Sequence, residues 1–172
     1  LSTICSLYEN VVVVINTGGL VDLSFMDRYS NIYGLIQIVQ PGMEGENAFA
    51  QIVAGDVTPS GKMTDSWAYS YEDYPNANTF SHNNGDVDKE LYEEGIMVGY
   101  RYFDSFNIPV RYPFGYGLSY TNFNIKNTGI KQYNFGTKQP EIGICVEVTN
   151  TGDIYSGKEV VQVYASCPQG SM

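Results

Sequence analysis

Histidine occurs once in the 172 residues, at His82, and cysteine three times, at Cys5, Cys145 and Cys167, far apart from one another. Without a CxxC pair or a second histidine there is no structural zinc set, and three scattered cysteines make no disulfide framework. Thiol catalysis would have to draw His82 out of a polar loop, so it is not expected. The longest unbroken aliphatic run is Val11–Ile15, far short of the roughly 20 residues that span a bilayer, and no membrane partner is expected. Basic residues are few. Nine Lys and Arg oppose 19 Asp and Glu for a net charge of −10, which sets nucleic acid and anionic lipid aside as partners. The sequence also lacks an Asn-x-Ser/Thr acceptor, a charged apolar leader and a Met at position 1. Leu1 suggests a piece of a longer chain, and the unpaired thiols with no glycosylation acceptor point to the cytoplasm.

What is present is apolar and aromatic. Hydrophobic residues make up 43% of the chain, with 15 Tyr and 8 Phe, enough to bury a core in one domain or in one domain and part of another. The acidic excess concentrates in residues 44–94, where 11 Asp and Glu face only Lys62 and Lys89. Such a stretch reads first as a solvated surface and second as the lining of a site for a sugar or a cation.

Val11–Ile15 is β-branched on both faces, the pattern of a strand buried between helix layers in a parallel sheet. Gly34–Val39 reads as a second short strand, ended by Pro41 and Gly42. Residues 44–54 read as a helix, with Ala48, Phe49, Ile52 and Val53 on one stripe and Gly55 placed to follow its C-terminus in the left-handed conformation. The pattern then dissolves into a long loop from Tyr69 to Glu90, of the kind that forms lids and rims. Tyr92, Tyr100, Tyr102, Phe103, Phe106, Tyr112, Phe114, Tyr116 and Tyr120 crowd the next segment among glycines, which suggests close-packed extended chain and turns. Phe123–Ile125, Ile142–Val148 and Val160–Tyr164 alternate as short strands, the opening of a β-sandwich. Cys145 lies in the second of them and reads as a small buried hydrophobe.

Several catalytic patterns fail on their own residues. Gly55–Lys62 resembles a phosphate loop but has Asp56 where the first glycine belongs and Met63 where a magnesium-binding hydroxyl belongs. Gly117-Leu-Ser119-Tyr-Thr121 resembles a nucleophile elbow but ends in Thr. Asp86, Asp88 and Glu90 have calcium-loop spacing, yet Leu91 and Met97 replace the required Gly and Glu, so a solvated acidic loop is the better reading. Glycosidase chemistry needs two carboxylates roughly 5–5.5 Å apart in retaining enzymes. The pairs Glu44/Glu46 and Glu93/Glu94 are too close in sequence to face each other in regular structure. Glu44 and Glu46 open a helix, where negative charge offsets exposed amides.

Four segments together resemble one family: Gln40-Pro-Gly-Met-Glu-Gly45, Gly55-Asp-Val-Thr-Pro-Ser-Gly-Lys62, Glu94-Gly-Ile-Met-Val-Gly-Tyr-Arg-Tyr-Phe-Asp104 and Pro113-Phe-Gly-Tyr-Gly-Leu-Ser-Tyr-Thr121. Their order and spacing are similar to those of family 3 glycoside hydrolases, the β-glucosidase and β-xylosidase group. Asn150–Asp153 and Gly157–Tyr164 resemble the early strands of that family's fibronectin type III-like domain. The resemblance implies an α/β fold, with residues 1–121 a partial α/β sandwich domain and residues 122–172 a truncated fibronectin type III-like domain. It implies a retaining hydrolase of β-linked glucosides or xylosides without metal or organic cofactor. The aspartate nucleophile belongs to a barrel domain that these residues do not contain, and the acid/base glutamate to a stretch before Val11. No catalytic residue is therefore carried onto this chain, which is expected to be inactive alone and to work against a barrel of the same polypeptide. The alternative is a non-catalytic carbohydrate-binding or interaction module. Under either reading, Trp67 and the tyrosines form part of a sugar-binding rim or, the favoured reading, pack the joint between the α/β and fibronectin-like domains.

Overall fold

The computed structural model describes residues 1–134 and 136–166. The third cysteine, Cys167, lies outside them. The chain divides into two compact units, one made of residues 1–54 and 63–116, the other of residues 55–62 and the chain from Gly117 on. The expected division at 121/122 differs from this in two places, since both 55–62 and 117–121 lie in the second unit.

In the first unit a short helix α1 (Ser2–Leu7) leads into strand β1 (Val11–Ile15), and a 3-10 turn (Ser24–Arg28) leads into β2 (Ile32–Gln37). The strands pair in parallel, Val12 with Gly34 and Val14 with Ile36, after a register break at Val11/Val12. Asn31 fastens α1 to this sheet by donating Nδ2 to Cys5 O at 2.8 Å and to Tyr8 O at 2.7 Å. The doubly apolar strand is only half covered. Val11 is buried, while Val12 is 56% and Val14 39% exposed, so the face that carries Val12 and Val14 stays open.

Helix α2 (Gly45–Ala54) follows, one residue shorter than expected, and Gly55 takes φ +82° beyond its end, the left-handed conformation that glycine adopts without cost. Gly45 is required by close approach: a Cβ there would lie 2.1 Å from Pro41 Cβ. Phe49 and Ile52 are half-buried, Ala48 and Val53 exposed, so the apolar stripe too has more face than this chain covers.

Strand β3 (Trp67–Ala68) and β4 (Val110–Tyr112) pair antiparallel, Trp67 opposite Tyr112. Two bonds of 2.7 Å, Met63 N to Tyr116 O and Gly115 N to Met63 O, extend the contact. Between them the long loop carries 3-10 turns at Tyr71–Asp73 and Phe80–His82. The aromatic segment departs from expectation: Tyr100–Ser105 is a helix, α3. Gly99 at φ +59° opens it. Phe103, 1% exposed, anchors it under Tyr74, edge to face at 5.5 Å, so tertiary packing overrides the weak helix tendency of aromatics. The buried apolar residues among those described, Val11, Leu23, Trp67, Ala68, Ala77 and Phe103, all belong to this unit.

The second unit is built on a ribbon, β5 (Phe123–Tyr133) and β6 (Glu141–Asn150), paired from Phe123/Asn150 to Tyr133/Glu141 with an irregularity between Asn127 and Gly129. Both expected strands exist and are longer than the apolar runs that signalled them. Cys145 is half-buried on β6. The third expected strand, Val160–Tyr164, enters no ladder among the described residues. Val161–Tyr164 instead line an open cleft of about 370 Å³ together with Ile125, Asn127, Ile144 and Val146, and Val163 and Tyr164 remain more than half exposed.

Candidate functional site

In parallel α/β sheets, ligands meet the chain where the strands end, at their carboxyl edge. Here β1 runs into Asn16-Thr17-Gly18-Gly19 and β2 into Ile38-Val39-Gln40-Pro41. Val39 and Gln40 both take positive φ, 45° and 50°. For a β-branched residue this is a costly conformation, on the order of 1–3 kcal/mol, and such outliers gather at functional positions.

The two loops are pinned to each other. Gln40 N donates to Asn16 Oδ1 at 3.0 Å, and Gln37 Nε2 donates to Thr17 O at 3.3 Å. Thr17 Oγ1 donates to Gly19 O at 2.7 Å. The Gln40 side chain crosses over Gly18 so closely that a Cβ on Gly18 would lie 2.8 Å from Gln40 Oε1. Gln37 Oε1 is buried with no donor among the described residues, and a buried acceptor left unmatched carries the full cost of its desolvation. From Asn16 to Gly19 and from Gly34 to Met43 no side chain is ionisable. The edge therefore offers amides on a strained, braced frame and no charge. It can hold a neutral hydroxylated ligand by hydrogen bonds and can do no acid/base chemistry itself.

A second group of polar residues lies along the long loop. Tyr74 OH donates to Ser66 O at 3.2 Å and accepts from Ala68 N at 3.1 Å, and burial pushes its phenol above the ordinary value. Asn76 Nδ2 donates to Glu94 Oε2. Glu93 stays exposed, so the adjacent pair divides between a structural bond and solvent. Asp86 Oδ1 accepts from Asp88 N at 3.0 Å, and His82 Nδ1 lies 2.9 Å from Asp86 O. No cluster of three or more His, Cys, Asp or Glu is placed to hold a metal among the described residues. Trp67 is 2% exposed and donates Nε1 to Val21 O at 2.7 Å, which makes it a packing residue. Tyr69, Tyr71 and Tyr92 are exposed at 52%, 45% and 77%.

The remaining sequence candidates have structural partners. Glu44 Oε2 accepts from Asn47 Nδ2 at 2.6 Å at the head of α2, and Glu46 lies in its first turn. Lys62 is no phosphate ligand: its Nζ donates to Gly117 O at 2.7 Å and pairs with Glu159 at 3.0 Å, both side chains mostly buried. Burial raises the Glu159 carboxyl, but the Val160 N–H and Lys62 outweigh it and hold it below its usual range. Ser119 Oγ accepts from Thr121 N at 3.4 Å. The carboxyl edge itself was missed as a site. Its signal was available in Asn-Thr-Gly-Gly directly after a β-branched strand; the strained turn at Val39 and Gln40 had none, since neither residue type favours positive φ.

The chain belongs to glycosyl hydrolase family 3: the model of that family's C-terminal domain matches residues 1–100. Beta-glucosidase A of Butyrivibrio fibrisolvens is 40% identical over 181 residues, covering 96% of this chain and 21% of that protein. A beta-glucosidase structure from Paenibacillus barengoltzii superposes with a TM-score of 0.79 at 40% identity, over 90% of this chain and 17% of that one. The beta-glucosidase of Kluyveromyces marxianus in complex with glucose gives 0.76 at 33% identity, over 90% and 17%. The chain spans about a fifth of the length of the curated relatives it matches. The partial α/β sandwich implied by the motifs is thus the family's C-terminal domain.

Proposed function

We propose that this chain serves as part of a retaining β-glycosidase that hydrolyses β-linked glucosides or xylosides. The observation that carries the reading is the family match across residues 1–100 together with relatives named as beta-glucosidases. In double displacement one carboxylate attacks the anomeric carbon to form a glycosyl ester, while a second carboxyl first protonates the leaving oxygen and then activates water. We assign neither role to a residue of this chain. Its carboxylates beside the candidate edges are tied to amides or exposed, and the nucleophile is assigned to a barrel domain of the same polypeptide, against which this chain forms a wall. Half-covered faces on β1 and α2 support such a covering neighbour. The second unit is read as the opening strands of a fibronectin type III-like domain, on its antiparallel ribbon and on the cleft that Val161–Tyr164 line together with that ribbon. A cytoplasmic setting is favoured by the free Cys5 and Cys145 thiols.

The test is an assay with chromogenic β-glucoside and β-xyloside on the 172 residues and on the longer gene product. Turnover by the longer protein alone is the expected result. Turnover by the 172 residues would place the carboxylates within them, with Glu93 and Glu94 first to mutate. No turnover by either would favour a non-catalytic carbohydrate-binding module, to be read by affinity electrophoresis in polysaccharide gels.

A further inference from the structure

Asn84 is the one asparagine of the sequence that precedes a glycine. It lies in the exposed turn that follows the 3-10 segment Phe80–His82, and Gly85 beside it is exposed as well. Asn84 Oδ1 accepts from Asp86 N at 3.0 Å, which holds the side-chain carbonyl close to the main chain. Gly85 N donates to His82 O at 2.9 Å. That bond closes a strained turn, since Ser81 and His82 both take positive φ, 56° and 65°, a conformation their side chains oppose. Opening it relieves the strain, and a short bond between exposed turn residues opens readily. The space around Gly85 is free, because a Cβ there would meet nothing within 4 Å.

We propose that Asn84-Gly85 is a self-modification site, at which the Gly85 backbone nitrogen attacks the Asn84 side-chain amide and converts the asparagine to isoaspartate. The Gly85 nitrogen loses its proton to solvent and bonds to Asn84 Cγ. The Cγ–Nδ2 bond breaks, and Nδ2 takes up a proton and leaves as ammonia. One water then opens the five-membered succinimide. Cleavage between the nitrogen and Cγ gives aspartate, whereas cleavage at the backbone carbonyl leaves the main chain running through Cγ as isoaspartate. Ammonia is exchanged for water, and nothing is oxidised or reduced. Glycine permits the attack, because it has no side chain to crowd the nitrogen and its backbone swings freely towards Cγ. Asn83 is the internal comparison: a full side chain follows it, and its Nδ2 is tied to Ala77 O at 3.0 Å. The product adds a methylene to the main chain and a carboxylate beside Asp86 and Asp88. The closure from Asn84 Oδ1 to Asp86 N is then lost, and like charges push the turn apart. No other residue and no particular activity of the chain is required.

The full-length protein would be kept folded at mildly alkaline pH beside a free peptide of residues 80–88. Peptide mapping by mass spectrometry and an isoaspartate-specific methylation assay follow the conversion. The expected result is conversion at Asn84 within about tenfold of the free peptide's rate, which corresponds to a turn opening of at most about 1.4 kcal/mol. Isoaspartate should exceed aspartate, and Asn83 should stay unchanged. Asn84→Gln, whose longer side chain needs a six-membered ring, should abolish the product without moving the melting temperature. An Asn84 that converts in the free peptide but survives in the folded protein, or reacts there more than about tenfold slower, overturns the proposal, because the bond from Gly85 N to His82 O then protects the site. Product that persists in Asn84→Gln places the chemistry at another asparagine and overturns it as well.

Discussion

Arg111 grips Asp27 with both arms of its guanidinium, Nη1 to Oδ1 at 2.9 Å and Nη2 to Oδ2 at 2.5 Å. The contact ties β4 to the 3-10 turn before β2. The guanidinium carbon also lies 5.1 Å from the centre of the Tyr69 ring, a cation–π distance. A planar fork is needed for such a pair, and lysine would not replace it.

The pair makes stability depend on pH. The Arg111 hydrogen bonds hold the Asp27 carboxyl below its usual range, and the Ser24 N–H does the same for Asp22. A carboxyl lowered on folding adds stability above its unfolded pKa of about 3.9, and that contribution is lost as pH falls through the folded value. Asp27→Asn should therefore lower the melting temperature at pH 7 and matter little once the pH is well below about 3.9. An equal deficit at both pH values would show that the charge is not what stabilises the contact.

Trp67→Phe removes the indole donor from Val21 O in the core of the first unit. The expected loss is about 1–3 kcal/mol, from an unpaired carbonyl and lost volume. Trp67 is the sole tryptophan, so urea unfolding is followed by circular dichroism, and a midpoint equal to wild type would show that the bond contributes nothing.

Thr121 Oγ1 donates to Asn150 Oδ1 at 2.6 Å, and a Cβ on Gly152 would lie 2.1 Å from that hydroxyl oxygen. Gly152→Ala should cost about 1–3 kcal/mol by overpacking. Because Thr121→Ala removes the clashing oxygen, the double variant should be more stable than the sum of the single losses implies. Strict additivity in a double-mutant cycle would locate the cost elsewhere.

Val12 and Val14 leave one face of the parallel pair open, a surface that sheets ordinarily cover. The isolated 172 residues should bind a hydrophobic dye and show a mass that rises with concentration in ultracentrifugation. Val14→Lys should reduce both. A monomer with a sharp two-state transition and no dye binding would count against the open face.

Elements whose signal lies within one segment were legible in sequence. Val11–Ile15 is apolar at every position, and α2 has both a stripe and a terminal glycine. Six-residue helices such as α1 and α3 offer too little periodicity to separate them from turns, and α3 exists because Phe103 is buried by residues distant in sequence. Val160–Tyr164 shows the opposite limit: alternation describes which faces a segment presents, whereas a ladder also needs a neighbour. The family motifs were readable because they are local strings. The braced edge at Asn16 and Gln40 was not, since it depends on two loops meeting and on backbone angles that neither residue type signals.

The pairing of Trp67–Ala68 with Val110–Tyr112 spans residues 69–109, whereas β5 and β6 are joined by residues 134–140 alone. Closing the longer loop costs more chain entropy before any contact offsets it. The ribbon should therefore form early, within the microsecond range of hairpins, and the Trp67 pairing late. Tryptophan emission is then a clock for the last step of folding, and during the interval before it the residues that will become the core of the first unit remain wet.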